Sequence, residues 1–224
     1  MVKGEYVNQV LMLLNEAGMT EREGVVFEGA DNSGVVRFVT DVYVDAWRKA
    51  VSIVPHSWLN VSDFGEHPHD LHDGSGYLTV PDDWYLLYCL RMRGWKREVY
   101  RAAEDGDEVA RLQGSEYSRG TALHPVCVLG LDRDGGHVLR YYSLPRGVRH
   151  EVERALYVPV CPCIEDWEDE RDLGLDRRLS DVVCQFAASL ISLRVENYNA
   201  AKAFEREAVV LTHGLMLNDV TQGV

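Results

Sequence analysis

No block of Lys and Arg interrupts this chain. Its 23 basic residues face 36 acidic ones, for a formal net charge of −13 over 224 residues. That balance excludes the basic patch with which a free nucleic-acid binder meets phosphates. It leaves room for a protein past which DNA slides, since a repulsive wall suits that task. No run approaches the ~18 consecutive apolar residues of a membrane span. Met1–Val10 has no basic start followed by a long apolar stretch, so no secretory leader is expected. Cysteine is sparse: Cys89, Cys127, Cys161, Cys163 and Cys184, an odd number at irregular spacing. A disulfide framework is therefore not expected, and assembly in a reducing cytosol is. The "CPC" at 161–163 is half a metal knuckle, with one residue between the thiols instead of two and no second pair. It reads as ordinary thiols.

Catalytic signatures are missing as well. The chain has no G-x-S-x-G elbow, no Walker loop and no G-x-G-x-x-G. Its "DRDGG" lacks the later glutamate of a calcium loop. There is no internal repeat and no low-complexity tract.

What is present is 46% hydrophobic content, enough for a proper core, in an order that can be followed along the chain. "EYVNQVLMLLNEAG" places Val7, Val10, Leu11 and Leu14 at helical spacing, and Gly18 closes the pattern. In "SGVVRFVTDVYVDAWRKAVSIVP" Val35, Val39, Val42, Ala46 and Ala50 share one helical face that ends before Pro55. From Ser57 to Val160, Gly, Pro, Asp and His punctuate short β-prone runs. "PVCVLGLDRDGGHVLRYYSL" predicts two strands, Val126–Leu131 and His137–Ser143, around a reversal for which Gly135 and Gly136 supply positive φ. "REVYRAA" and "ERALYVPV" read as further strands, and Ala102–Thr121 as turn, loop or a short helix. Asp82 and Asp83 are expected to cap the start of the run that follows them.

"CIEDWEDERDLGLD" then reads as an exposed acidic connector. In the closing "LSDVVCQFAASLISLRVENYNAAKAFEREAVVL", Val182, Phe186, Leu190, Leu193, Ala200, Phe204 and Ala208 repeat at helical spacing. Ser180 is the expected cap, and Asn197 marks a buried polar contact or a helix crossing. The expected fold is α+β: a helical bundle from N-terminal helices and a long C-terminal helix, with an antiparallel β insertion between them. The expected parts are 1–56 with 177–214 as the bundle, 57–163 as the β-rich insertion, 164–176 as the acidic connector and 215–224 as a C-terminal tail.

"HPHDLHDG", residues 67–74, is the stretch that most invites a chemical reading. His67, His69 and His72 are candidate ligands for one metal, with Asp70 or Asp73 as a carboxylate ligand. Against this, Gly65, Pro68, Gly74 and Gly76 break the segment, so no rigid element fixes ligand geometry. The segment is read as an exposed loop that holds no metal.

Six stretches occur in a telling order: "YLTVPDDWYLLYCLRMRGWKREV", "EYSRG", "HPVCVL", "LRYYSLP", "RALYVPV" and "LSDVVCQFAASLISLRVENYNAAKAFE". Together they resemble the head–tail connector (ring or adaptor) proteins of tailed phages, particularly those of crAss-like Bacteroides phages. The resemblance spans Tyr77 to Glu205, and its motifs are structural. It implies a non-enzymatic virion protein without cofactor, assembled in the host cytoplasm into a homo-oligomeric ring, often a dodecamer. It also implies contacts with the portal and with neighbouring tail or ring proteins, no membrane, and DNA passing through without specific binding. The His-rich loop is not part of the shared pattern. Leu215, Met216 and Leu217 are expected to dock on a neighbour or on the portal. Two other readings stand beside this one: a small metal-dependent hydrolase using His67, His69 and His72, and a bacterial surface or adhesion module, which the missing export signal disfavours.

Overall fold

Helix α1 (Lys3–Glu16) buries Tyr6, Val7, Val10 and Leu14, the face drawn by its apolar spacing. The computed structural model describes residues 1–16, 32–65, 67–132, 134–145, 147–164 and 166–222, so the expected stop at Gly18 lies outside the described residues. The chain divides into two compact units, Met1–Asn60 with Cys161–Val224, and Val61–Val160.

The first unit is helical. The single helix expected through Val35 to Ala50 is two, α2 (Asn32–Asp41) and α3 (Tyr43–Val51), meeting at Val42. Val42 keeps a helical backbone (φ −84°, ψ −7°), so the apolar face runs on through buried Val39, Val42, Ala46 and Ala50. Thr40 turns its hydroxyl onto the carbonyl of Arg37 just before the junction, a local competitor for helical bonding.

Helix α5 (Arg177–Arg194) is the shared partner of the unit, packing against α1, α3 and α6 (Tyr198–Gln222). It buries Leu179, Val182, Val183, Phe186, Ala187 and Ile191. Its cap is Asp176, whose carboxylate accepts from the amide of Arg178 at 2.8 Å. The expected cap, Ser180, lies inside the helix and donates to the carbonyl of Asp176. The long C-terminal helix expected from sequence is thus a pair. Glu196 breaks it with φ +60°, and the Asn197 side chain accepts from the amide of Ala200 to start α6. The break resets the helical phase. After it Phe204 is only half-buried while Ala201 and Ala208 are buried; within α5 itself Leu190 is half-buried and Leu193 exposed, while Val183, Ala187 and Ile191 are buried.

The acidic run 164–176, expected as an exposed connector, is partly integral to the helical unit. Ile164 is buried. The carbonyls of Arg171 and Asp169 accept from the amides of Lys3 and Gly4 at 3.0 and 2.9 Å, and Met1 returns a bond to Leu173. The first amides of a helix have no partner within it, and here this segment satisfies two of them. Its carboxylates at Asp166, Glu168, Asp169, Glu170 and Asp172 remain exposed.

The second unit carries two sheets. One has the order β1 (Ser62–Asp63), β8 (Val152–Pro159), β4 (Trp84–Met92). The other runs β2 (His69–Asp70), β3 (Gly76–Thr79), β7 (His137–Tyr141), β6 (Cys127–Leu131), β5 (Ala103–Glu104). Leu87, Leu90 and Tyr157 from the first sheet share one core with Leu78, Leu139 and Tyr141 from the second. The β6–β7 hairpin forms, but of its two glycines only Gly135 takes a positive φ (+84°); Asp132 holds the amides of Asp134 and Gly136. "REVYRAA" does not form a continuous strand. Val99 bridges Leu90, and only Ala103–Glu104 pairs further, in parallel with β6. Asp83 opens β4 from a turn and accepts from the Tyr157 hydroxyl at 2.7 Å.

The expected architecture is therefore corrected. In place of a bundle closed by one long helix around a single antiparallel insertion, five helices form one unit. Two sheets, one containing a parallel pair, form the other, with a short helix α4 (Glu108–Leu112). The physical reasons are the left-handed residue at Glu196 and the two-residue strands, which are too short to leave a periodic trace.

Candidate functional site

The hairpin 67–75 gathers most of the chemistry of the second unit. β2 pairs with β3 through His69↔Tyr77 and Asp70↔Gly76. His69 is stacked on Tyr77, rings 4.5 Å apart and 10° from parallel. His72 takes φ +65° and gives its amide to Asp70 at 2.6 Å. That bond is the main cause that holds the Asp70 carboxyl below its usual range, with the nearby His150 and His72 rings adding to it.

Asp70 also reaches a residue far along the chain. Its Oδ1 lies 3.3 Å from Nε2 of His150, whose side chain is only 5% exposed. On the other side of that ring, Nδ1 is 2.7 Å from the Tyr141 hydroxyl. With its proton on Nε2, beside the carboxylate, the neutral ring would leave Nδ1 to accept from the phenol. The imidazole stands between an ion-pair contact to Asp70 and a hydrogen bond to Tyr141. Tyr141 is fully buried, and burial pushes its hydroxyl well above the ordinary phenol range. These contacts tie β2 to β7 through a buried phenol.

The far end of the same turn borders a groove of about 370 Å³ lined by Asp73, Tyr117, Arg119, Gly120, Ser143 and Leu144, among others. Asp73 accepts from the amide and hydroxyl of Ser75 and pairs with Arg119 at 3.2 Å. The Ser75 hydroxyl is the main cause lowering the Asp73 carboxyl. Gly74 passes so close to Leu144 that a Cβ would stand 2.3 Å from its carbonyl oxygen. Ser143 has φ +90°, a strained backbone for a side-chain-bearing residue. Its Oγ has no hydrogen-bond partner among the described residues.

The other wall of the groove is a braced loop. Buried Gln113 donates to the carbonyl of Val109 and accepts from the amide of Gly120, both at 2.8 Å. Ser118 donates to Leu112 at 2.7 Å. At the tip stands Tyr117, fully exposed, with Val109 and Leu112 also exposed on α4.

The structure does not bring the sequence candidates together. His69 lies on Tyr77, His72 is 89% exposed beside Asp70, and His67 precedes β2 in a bend. Among the described residues, no group of three or more His, Cys, Asp or Glu is arranged to hold a metal ion. His150 was invisible to sequence reasoning: it sits in the unpatterned "RGVRHEVE", and nothing local marks its partner at Asp70. The five cysteines are free. Burial pushes the Cys161 thiol up to about 11, and only Cys163 is exposed. Leu215, Met216 and Leu217 fall in the last part of α6, and their side chains lie outside the described residues. The chain matches no protein-family model and no curated protein.

Proposed function

We propose that this chain is a virion structural protein, a subunit of a head–tail connector ring beneath the portal of a tailed phage. The observation that carries the reading is the ordered set of motifs from Tyr77 to Glu205, borne on a chain of net charge −13. A ring of such subunits multiplies that charge. Duplex DNA is a dense line of phosphates, and its binding strength comes mainly from Lys and Arg neutralising them. An acidic bore instead centres DNA by repulsion and keeps the barrier to passage low. Screening confines this effect to a bore near the width of the duplex, since the Debye length is ~8 Å at physiological salt. The exposed carboxylates of 166–172 are the lining this reading favours.

In this reading the chain is not an enzyme and needs no cofactor. Its partners are further copies of itself, the portal and the adjoining tail or ring proteins. Tyr117 supports the reading from another side. A fully exposed aromatic on a loop braced by buried Gln113 is preordered for a protein contact, and ordering cost is what such contacts otherwise lose. The hydrolase alternative draws no support, because His67, His69 and His72 do not converge.

The test is native mass measurement and electron microscopy of the purified chain, alone and mixed with a candidate portal protein. Closed rings support the reading, and a monomer in both settings overturns it. A gel-shift titration with duplex DNA at low salt checks the conduit directly. Submicromolar binding there would mark a DNA-gripping protein instead.

A further inference from the structure

Tyr141 has one hydroxyl hydrogen and two acceptors within reach. Nδ1 of His150 stands at 2.7 Å and the carbonyl oxygen of His69 at 3.5 Å. The phenol is fully buried and the imidazole nearly so, which keeps water from competing for either. Which acceptor is used depends on His150. In the neutral ring with its proton on Nε2, beside Asp70, Nδ1 offers a lone pair, and the phenol hydrogen points to Nδ1. In the protonated ring, Nδ1–H is itself a donor. The phenol oxygen must then accept it, and the phenol hydrogen turns to His69.

We infer that Tyr141 is a rotor that converts protonation of His150 into a hydrogen bond on the backbone of β2, so that this protonation tightens the 67–75 hairpin. One proton enters from solvent onto Nδ1. No covalent bond other than that N–H forms or breaks, and Tyr141 keeps its own proton throughout.

Gly76 keeps the crossing open. It pairs with Asp70 across one strand boundary and with Tyr141 across the next. A Cβ there would stand 2.2 Å from both the Tyr141 hydroxyl and the His69 carbonyl oxygen. The charges around His150 fit the same device. Asp70, on β2, supplies the counter-charge and holds His72 on its other oxygen. Of the flanking residues Arg149 and Glu151, the second is engaged by Arg93. Trp95, whose ring lies edge-on to Tyr141, brings no charge.

The sign follows from these partners. The added hydrogen bond is present below the pH at which His150 takes its proton and is lost as the pH rises through that point. The window closes at the acid end when Asp70 is neutralised. The amide of His72 holds that event below the ordinary carboxylate range.

The experiment uses the full chain, labelled with ¹⁵N. Ring signals of His150 and amide exchange of Leu71, which donates to the carbonyl of Ser75, are followed from pH 8 to 4.5. Exchange at Leu71 should slow several-fold, corrected for its intrinsic pH dependence, in step with the His150 titration. In Tyr141→Phe the ring should still titrate while exchange no longer follows it. Protection that stays flat or falls through the titration in the natural chain overturns the inference, and so does protection that follows equally in the Phe variant. A measurement on the natural chain alone stands if that variant does not fold. At high pH the His150 nitrogens must show a proton on Nε2 and a bare, hydrogen-bonded Nδ1, and the opposite tautomer refutes the rotor.

Discussion

Ser189 donates its hydroxyl to the carbonyl of Ala201 across 3.0 Å, with both residues buried, and this bond marks where α6 folds back on α5. Ala201 is buried there and brings only a methyl group to the crossing. Ala201→Leu should therefore overpack the crossing and cost about 1–3 kcal/mol. Chemical denaturation of the purified variant measures it. A cost under half a kcal/mol would show that the helices part easily.

Phe186 lies on the buried face of α5, with the Lys49 ammonium 5.7 Å from its ring centre. Phe186→Ala should cost about 3–5 kcal/mol. Domain stability is usually only about 5–15 kcal/mol, so poorly soluble or unassembled protein is expected. Thermal melting of the soluble fraction is the check.

Glu196 ends α5 with φ +60°. A non-glycine residue in that region carries about 1–2 kcal/mol of strain, while glycine carries about 0.5–1 kcal/mol of extra chain entropy. Glu196→Gly should then stabilise the chain by about 0.5–1 kcal/mol, read as a raised denaturation midpoint at unchanged slope. A lowered midpoint would mean that the carboxylate has a role the backbone does not explain.

Asp176 caps α5, and the Arg178 side chain holds its carboxyl below the usual range. A lowered folded-state value means stability that is present above the ordinary carboxylate value near pH ~3.9 and lost as the pH falls through the folded value. Asp176→Ala should cost about 1 kcal/mol at pH 7 and should flatten the acid limb of the stability curve. Equal acid limbs in the two proteins would assign acid unfolding to other carboxylates, with Asp73 and Asp172 next in line.

Replacing His67, His69 and His72 together by Ala removes one ring stack and one exposed pair. The expected cost is below about 1 kcal/mol, within the range of surface changes. Zinc held at one per chain in untagged protein, and lost in the triple variant, would contradict this.

Parts of the fold were legible because the residues state them locally. The α1 face and the "DRDGG" hairpin follow from spacing and from glycine. The α5–α6 break was signalled only by Asn197, as a polar contact or helix crossing, because Glu196 and Asn197 interrupt a good helical pattern without Gly or Pro. Strands such as Ser62–Asp63 and His69–Asp70 are two residues long, and alternation needs more than two positions to be seen. The Asp70–His150–Tyr141 chain escaped for a different reason. Its members meet only through sheet pairing, across 80 residues of sequence in the case of Asp70 and His150, and no local signal links them.

The helical unit has one further property, set by the direction of synthesis. Its α1, α2 and α3 leave the ribosome first, but α5, the partner they share, follows the entire 61–160 unit. The early helices therefore spend the making of some hundred residues without their principal packing surface. The sheet unit has all its strands in hand by Pro159 and can close first. A pause in translation before residue 177 would prolong the time that Tyr6, Val39 and Trp47 wait for their buried setting.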